Sequence, residues 1–463
     1  MPRRRISLIR RPAMVLLWSA LIHVACHSIS WATSTGPNLE WARQIGTSDF
    51  DQSTGVSADA LGNVFVVGAT TGTFAGPRIG GYDAFIAKYN AAGTSVWSAK
   101  FGSSGNDSNN GVAVDGLGNA YVTGYTEGSL GATNAGALDA YLAKYDSNGN
   151  QLWIRQLGTS TSDNGMGVSV DTHGNVYISG NTGGNLGGSS AGGDDAFLAK
   201  YDGTGNFLWA RQLGTNAQDY SKSVSADALG NVFIAGSTYG NLAATNPGSS
   251  DVFLAKYDSS GNLVWTRQLG TNGEDDGNSV SADGLGNVYI GGATTGILAG
   301  TNAGSADAFI SKYDLTGHLL WTRQFGSVDI DIGQAVSADH LGNVYLAGEI
   351  YGSLVPNGST SNNAFVSKYD ASGNNVWFDE FGTNKYDQCL GASADGLGNL
   401  YVSGETQGGL GSAFLGGTDD AFAAKFTDAP EPTAGHQAII FSSMLYLWQK
   451  RRDRKHYKVQ LLV

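Results

Sequence analysis

The sequence contains few of the residues that other protein classes depend on. Only two of its 463 residues are cysteine, which excludes a scaffold held together by disulfides. Proline occurs eight times and charged residues make up 14% of the chain, well below their ordinary share. Intrinsically disordered chains have many charged and few aromatic residues. The low charge of this chain, together with its 10% of aromatic residues, therefore excludes that class. No apolar run reaches the roughly 20 residues that a membrane-spanning helix needs.

Residue sets for common enzymatic chemistry are also missing. No zinc-ligand spacing, Gly-x-Ser-x-Gly motif, Cys–His nucleophile pair or phosphate-binding loop stands out. His173, His318 and His340 all fall in turn positions between strands, where solvated histidines are common. A pair of acidic residues that catalyses glycoside hydrolysis stays an open alternative, because the distance between two carboxyl groups does not follow from the sequence. An enzyme is therefore the less favoured class.

Glycine, by contrast, occurs 68 times, which is typical of many short strands joined by tight turns. The sequence repeats with a period of 56 residues, and periods of this length indicate a propeller or a solenoid. The period is carried by seven tryptophans: Trp41, Trp97, Trp153, Trp209, Trp265, Trp321 and Trp377.

Each unit predicts four strands, called a, b, c and d. In the fifth unit they are expected at Asn278–Asp283, Asn287–Thr294, Ala308–Tyr313 and Leu319–Gln324. An Asp, two free residues and a Gly join strands a to b and c to d, a pattern typical of a type I turn with a G1 bulge. The sequence therefore predicts an all-β, seven-bladed β-propeller with four antiparallel strands per blade. Since the array starts with a d strand, Asn38–Gln44, and stops after a c strand, Ala421–Phe426, these two segments should pair and close the ring.

The motif D-x-x-G-N-x-Y-x-x-G at Asp283–Gly292, and its Phe variant at Asp227–Gly236, resembles the bacterial SBBP-type propeller repeat. The likeness extends over about 390 residues and recurs seven times. It implies the propeller fold and an exported repeat protein, and it implies no reaction.

Both chain ends carry patterns of export. Residues 1–32 combine five arginines, an apolar run and Ser30-Trp31-Ala32, which predicts a signal peptide. Residues 428–463 resemble a PEP-CTERM sorting tail: Pro430-Glu431-Pro432 precedes the apolar stretch Ala438–Trp448, and bases follow. The resemblance implies that this tail is removed in the cell envelope. The propeller is then expected to span residues 33–427.

The propeller segment has 16 Lys or Arg and 37 Asp or Glu, a net charge of −21. Nucleic-acid binding is therefore not expected, and membrane contact is expected only transiently, through the terminal segments. An Asp follows each repeat tryptophan by ten residues. Either these aspartates accept backbone amides or pair with bases such as Lys88 and Lys144, or they form a ring that attracts calcium. The ring consists of Asp51, Asp107, Asp163, Asp219, Asp275, Asp331 and Asp387.

The loops between strands b and c vary most among the units. Four side chains at one equivalent position there are candidate ligand contacts for a protein or a glycan: Glu127, Tyr239, Tyr351 and Gln407. These patterns favour a non-catalytic binding or structural module of the cell envelope or exterior. The alternative is a secreted propeller enzyme, either a polysaccharide hydrolase or lyase or a quinoprotein-like oxidoreductase.

Overall fold

The computed structural model describes residues 36–355 and 361–428. The predicted signal peptide lies outside these residues, as does the predicted sorting tail beyond Asp428. Within the described ranges, every regular element is a β-strand. No helix there is long and apolar enough to cross a membrane.

The described residues form 28 strands of seven or eight residues. They are β1 (Asn38–Ile45), β2 (Asp51–Ala58), β3 (Val64–Thr70), β4 (Asp83–Tyr89), β5 (Ser95–Phe101), β6 (Asp107–Val114), β7 (Ala120–Thr126), β8 (Asp139–Tyr145), β9 (Gln151–Leu157), β10 (Asp163–Val170), β11 (Val176–Thr182), β12 (Asp195–Tyr201), β13 (Phe207–Leu213), β14 (Asp219–Ala226), β15 (Val232–Thr238), β16 (Asp251–Tyr257), β17 (Leu263–Leu269), β18 (Asp275–Ala282), β19 (Asn287–Thr294), β20 (Asp307–Asp314), β21 (Leu319–Phe325), β22 (Asp331–Ala338), β23 (Val344–Ile350), β24 (Asn363–Tyr369), β25 (Asn375–Phe381), β26 (Asp387–Ala394), β27 (Asn399–Thr406) and β28 (Asp420–Thr427).

These strands form seven sheets of four antiparallel strands, the blades of a propeller. Blade 1 is β2-β3-β4-β5, and the next five blades follow in chain order up to β25. Blade 7 is β26-β27-β28-β1, so the first strand of the propeller pairs with the last. The predicted fold, the blade count and the closure by the N-terminal strand are thus confirmed. Closure leaves no blade with an unpaired strand.

The hydrophobic core lies between neighbouring blades. Strands b and c are buried almost throughout because they carry Val, Ile, Phe and Tyr on both faces. One cluster, for example, joins Tyr121 and Leu142 of blade 2 to Ile178 and Phe197 of blade 3. Each blade therefore buries its apolar faces only against its neighbours, and stability depends on an unbroken ring.

The innermost strand, strand a, is longer than the sequence predicted. In the fifth repeat it begins at Asp275, three residues before the expected start at Asn278. The error arose because Asp275-Asp276-Gly277 has the composition of a loop. These residues pair with Gly292 to Thr294 of β19, and a register shift follows between Gly277 and Ser279. The repeat aspartates thus open the strands and do not lie in the links before them.

The predicted turn chemistry is present at both hairpins of the blade. In blade 1, the Asp59 carboxylate accepts the backbone amides of Leu61 and Asn63 at 2.9 and 2.8 Å. Gly62 has a φ of 76°, in the left-handed region that glycine adopts without a steric penalty. We call the side of the ring with these a–b and c–d hairpins the turn face. The opposite side, with the b–c loops and the d–a links, is the loop face.

Repeated polar contacts join each blade to the next at the turn face. Trp97 Nε1 and Lys88 Nζ of blade 1 both donate to the carbonyl of Ser147 in the c–d turn of blade 2, at 3.1 and 3.0 Å. Lys144 donates in the same way to Gly203 of blade 3. The expectation that Lys88 and Lys144 pair with the repeat aspartates is therefore wrong, since those aspartates lie at the loop face.

Blade 7 has no c–d turn, because its c and d strands belong to opposite ends of the propeller. The carboxylate of Asp428 takes the place of the missing turn carbonyl. It accepts Trp377 Nε1 at 2.9 Å and Lys368 Nζ at 2.5 Å. Lys425 in turn pairs with Glu40, 2.6 Å away. Two ion pairs thus replace neutral contacts at the one blade that the two chain ends complete.

Candidate functional site

The seven repeat aspartates occupy equivalent buried positions at the loop face. Asp51 opens strand a of blade 1, and its Oδ2 accepts the backbone amide and the hydroxyl of Thr47 at 2.6 and 3.0 Å. Each of the seven is at most 1% exposed. Burial raises the pKa of Asp51, Asp163, Asp219 and Asp387, although hydrogen bonds oppose this shift.

A second ring of aspartates opens the c strands and lies beside the first. It comprises Asp83, Asp139, Asp195, Asp251, Asp307 and Asp420, with Asn363 at the seventh position. Asp139 Oδ2 accepts the amide of Ala135 and Nε2 of Gln156, both at 2.8 Å. In blade 1 the glutamine is replaced by Lys100, which forms a buried ion pair with Asp83 at 3.2 Å.

The two rings meet at each blade junction around one glycine. A Cβ on Gly102 would lie 3.0 Å from oxygens of both Asp83 and Asp107. At the next junction, a Cβ on Gly158 would lie only 2.1 Å from Asp139 Oδ1, a buried oxygen without a hydrogen-bond partner. At these two junctions the glycine thus leaves space that buried carboxylate oxygens occupy.

The geometry separates the predicted calcium ligands. Each of the seven aspartates lies in its own blade and is held by the residues just before it. Within residues 36–355 and 361–428, no three His, Cys, Asp or Glu side chains are grouped so that they could hold a metal ion. A calcium ion at the loop face would therefore need backbone oxygens as further ligands, and calcium binding stays a prediction.

The four predicted ligand contacts lie at equivalent positions just after strand b, in different blades. Glu127 and Gln407 are exposed and bound to their own blades: Glu127 accepts the amide of Asn106 at 2.9 Å, and Gln407 donates to Asp419 at 3.0 Å. Tyr239 is 44% exposed and packs edge-to-face on Tyr220. Tyr351 is half-buried. The structure thus does not bring the four together.

A less symmetrical group lies where blades 6, 7 and 1 meet near the inner strands. Glu405 of blade 7 accepts Nε2 of Gln388 at 2.5 Å and of Gln52, in blade 1, at 2.7 Å. Glu349 of blade 6 accepts the hydroxyl of Tyr386 at 3.2 Å. Gln334 also donates to Glu349, at 3.3 Å. We call these six residues the channel-mouth network.

Burial raises the pKa of both Glu349 and Glu405, which are 5% and 7% exposed. The negative charge of Asp419 adds to the shift at Glu405, and Glu349 itself contributes a little more. Tyr386 also has a raised pKa, because it is buried beside Glu349. The network thus combines amide groups and a phenol with two carboxyls, one on each of two blades, whose pKa lies above the ordinary value of glutamate.

A comparison of the repeats identifies part of this network from the sequence alone. The position of Glu349 and Glu405 is Ala69, Tyr125, Asn181, Ser237 and Ala293 in the other repeats. Departures at Glu349 and Tyr386 were visible from the sequence. Their meeting with Glu405 and Gln52 was not, because it depends on blade 7 closing against blade 1.

The inner strands surround a central channel that contains a cavity of about 160 Å³. Its lining includes Asn110, Met166, Lys222, Asn278 and Gln334. Lys222 Nζ donates to Asn278 Oδ1 at 2.9 Å and lies 3.7 Å from a carboxylate oxygen of Asp276. This lysine is thus paired between blades 4 and 5, away from the blades that form the channel-mouth network.

Comparisons with known proteins agree with the repeat pattern. Six stretches match the model described as "SBBP: Beta-propeller repeat", at residues 40–75, 96–131, 152–187, 208–243, 264–299 and 320–354. A stretch of 156 residues is 30% identical to the regulatory protein FlaEY of Caulobacter vibrioides, over 30% of this chain and 16% of FlaEY. Another, of 230 residues, is 24% identical to the uncharacterized WD repeat-containing protein L264 of Acanthamoeba polyphaga mimivirus, over 38% of this chain and 17% of that protein. The chain thus spans about a sixth of the length of both relatives.

Solved structures of low sequence identity are also similar. The WD40 domain of Neurospora crassa Pan2 superposes with a TM-score of 0.45 at 7% identity, covering 85% of this chain and 97% of that domain. A polysaccharide lyase of family PL25, an ulvan lyase, has a TM-score of 0.43 at 13% identity, with 78% and 93% covered. The chain is a seven-bladed β-propeller that carries six SBBP beta-propeller repeats.

Proposed function

We propose that the protein is an exported binding module of the cell envelope or exterior, and that its ligand binds at the channel-mouth network. A propeller with these repeats suits a binding or structural role, because it presents seven loops around one axis on a rigid frame. Near-identical blades offer the same groups seven times. A specific ligand is expected where the blades differ.

The channel-mouth network is the observation that carries this proposal. Here two buried glutamates, three glutamines and a tyrosine from three blades are linked by hydrogen bonds, and no other repeat has a carboxylate at the position of the two glutamates. Burying two carboxylates is costly unless other groups compensate. Two buried carboxyls that occur in only two of the seven repeats therefore support a role in recognition.

The chemistry of the network suits a ligand rich in hydroxyl or amide groups, such as a neutral glycan or a polypeptide segment. Carboxylate and amide groups exchange hydrogen bonds with hydroxyls, and Tyr351 and Tyr386 offer ring surface beside them. The net charge of −21 in residues 33–427 disfavours anionic ligands. We therefore expect neutral or basic ligands.

A glycan and peptide array with the full chain tests this proposal. We expect selective binding that Glu405→Gln and Tyr386→Phe weaken at least about tenfold, the loss of one or two hydrogen bonds to charged groups. Glu127→Gln is the matched control, because Glu127 is exposed and lies in blade 2. Equal binding by all variants would reject the network as the site.

Export rests on the terminal patterns, which lie outside the described residues. We expect the native protein to begin near Thr33 and to lack the tail beyond about Pro430. Intact-mass measurement on protein isolated from its host decides this. A soluble secreted form that retains Lys450–Val463 would reject removal of the tail.

A secreted enzyme is the second candidate function, and the raised pKa values of Glu349 and Glu405 are the observation that favours it. A carboxyl group whose pKa is raised by burial is suited to act as a general acid. Incubation with polysaccharides, followed by detection of new reducing ends or unsaturated products, tests for a hydrolase or a lyase. Cleavage that Glu405→Gln abolishes would replace the binding proposal, and an absorbance band of a bound quinone would favour an oxidoreductase.

A further inference from the structure

The turn face carries a ring of exposed leucines around the channel. The third residue of the a–b turn is leucine in six of the seven blades, and each of these side chains is at least 60% exposed. The ring consists of Leu61, Leu117, Leu229, Leu285, Leu341 and Leu397. In blade 3 the same position is His173. Repeated exposure of one large apolar residue points to a surface that something covers.

The turns that carry the ring contact one another. The imidazole of His340 in blade 6 is 3.2 Å from the position of a Cβ on Gly284 in blade 5, and 3.8 Å from that of a Cβ on Gly396 in blade 7. Leu285 similarly reaches within 3.9 Å of a Cβ on Gly342. The leucines therefore stand on neighbouring turns of one continuous surface.

A second set of exposed apolar residues surrounds this ring. The first residues of most d strands, which follow the c–d turns, are large, apolar and 39–54% exposed. They are Leu39, Val96, Leu152, Phe207, Leu208, Leu263, Val264, Leu319, Leu320 and Val376. The turn face thus has an apolar centre and an apolar rim.

Charge differs between the two faces. The c-strand lysines and the d-strand arginines lie at the turn face, where Lys88 and Arg155, for example, donate to turn carbonyls. They offset the aspartates of the turns. The loop face holds both rings of buried aspartates and few bases, Lys100 and Lys222 among them. The acidity of the propeller is therefore concentrated away from the leucine ring.

Both ends of the propeller lie at the turn face. Strand β1 starts at Asn38, strand β28 ends at Thr427, and these two residues pair. The sequence segments beyond them contain the apolar runs 13–25 and 438–448, each next to a cluster of bases. The described chain therefore begins and ends its propeller on the side that carries the leucines.

We propose that the turn face lies on a lipid bilayer, with the six leucines inserted into the interface between headgroups and acyl chains. This role goes beyond the proposed ligand site, which would face away from the membrane. The leucine tips supply apolar area, while the near balance of charge at this face avoids repulsion by headgroups. The acidic loop face is directed into the aqueous phase.

Co-sedimentation of the full chain with phosphatidylcholine vesicles tests the proposal. Replacing Leu61, Leu229 and Leu397 by serine should lower partitioning at least about tenfold, because three interfacial leucines are lost. His173→Leu completes the ring and should raise partitioning about threefold. The control replaces Ile297, Val328 and Leu415 of the loop face by serine. These are 63%, 79% and 47% exposed, and partitioning should not change.

Lipid charge distinguishes the ring from the basic terminal segments. Binding through the leucines needs no anionic lipid, whereas binding through the terminal bases increases with anionic lipid and falls with salt. Equal binding by the triple leucine variant, or binding only to anionic vesicles, would overturn the proposal. So would a lipid-free dimer that the same variant dissociates, because a second copy would then cover the ring. Enhanced partitioning by His173→Leu supports the proposal even if the triple variant fails to fold.

Discussion

Blade 6 lacks one hydrogen bond that its neighbours have, and restoring it should change stability in a pH-dependent way. In blade 3 the hydroxyl of Thr182 donates to Oδ1 of Asp163, and blades 4, 5 and 7 repeat this contact. Blade 6 has Ile350 at the threonine position, and Asp331 Oδ1 has no partner. Burial, with a contribution from Asp307, raises the pKa of Asp331 from 3.8 to about 6.

The raised pKa of Asp331 sets the direction in which the free energy of unfolding changes with pH. Between about pH 4 and pH 6 the folded state binds a proton that the unfolded state releases, so stability falls as the pH rises through this window. A shift from 3.8 to about 6 corresponds to roughly 3 kcal/mol at 1.36 kcal/mol per unit. We therefore expect the contribution of Asp331 to make the protein more stable near pH 4 than near neutral pH.

Ile350→Thr supplies the missing donor at the cost of apolar contact. A hydrogen bond to a charged acceptor contributes about 1.5–3 kcal/mol, whereas removing a buried methylene group costs about 0.5–1.5 kcal/mol. Near neutral pH the variant should gain about 1 kcal/mol. Near pH 4 Asp331 is protonated, the charged hydrogen bond is lost, and the same variant should be less stable than the wild type.

Ile350→Val is the matched control, because valine has the shape of threonine without its hydroxyl. It should lower stability by about 1 kcal/mol at both pH values. Urea denaturation of the three proteins at about pH 4.5 and pH 7.5 measures the free energy of unfolding. If the threonine and valine variants differ by the same amount at both pH values, the unpaired Asp331 carboxylate is not the cause and the reasoning fails.

Three other outcomes follow from the contacts described above. Asp428→Ala should destabilise the ring by about 1–3 kcal/mol, since it leaves the Lys368 ammonium unpaired, and an unchanged melting temperature would contradict the role of this contact in closure. Gly158→Ala should be markedly destabilising because its Cβ would meet Asp139 Oδ1 at 2.1 Å, whereas Gly116→Ala, with nothing within 4 Å, should be nearly neutral in thermal unfolding. Calorimetry with millimolar calcium should give heat and a thermal shift if the loop-face aspartates bind it, and the absence of both would leave them as structural groups.

Much of the fold could be predicted from the sequence, because the repeat is itself an internal alignment. The spacing of Trp41 and its six equivalents fixed the number of blades, and the surplus d and c strands at the two ends required pairing between them. The start of strand a was missed, since Asp275-Asp276-Gly277 has low intrinsic strand propensity. Its pairing with strand b is enforced by the neighbouring blades, which local composition does not report.

The candidate site was less predictable, because it depends on contacts between residues far apart in the sequence. Glu349 and Tyr386 could be identified as departures from the repeat, whereas Gln52 shares Glu405 with Gln388 only once the ring has closed. Whether the oxygens of the repeat aspartates were free or already bonded depended on Thr47 and its equivalents four residues earlier, whose side-chain directions the sequence does not give.

Blade 6 also indicates how the loop face tolerates its buried acids. In most blades the strand-c aspartate is matched by a glutamine of strand d, as Asp307 is by Gln324 at 2.9 Å. At the one position where the aspartate is Asn363, strand d carries Glu380 instead. At this junction the carboxylate is therefore on strand d, whereas in the other blades it is on strand c. The carboxylate accepts the amide of Leu354 from the b–c loop, the same role that the side-chain oxygen of Gln324 has toward the amide of Leu298 in blade 5. Glu380 thus keeps the acceptor role of the repeat glutamine, while the buried aspartates of the loop face accept other backbone amides, as Asp51 accepts that of Thr47 and Asp139 that of Ala135. This structural role accounts for the recurrence of acids around the ring.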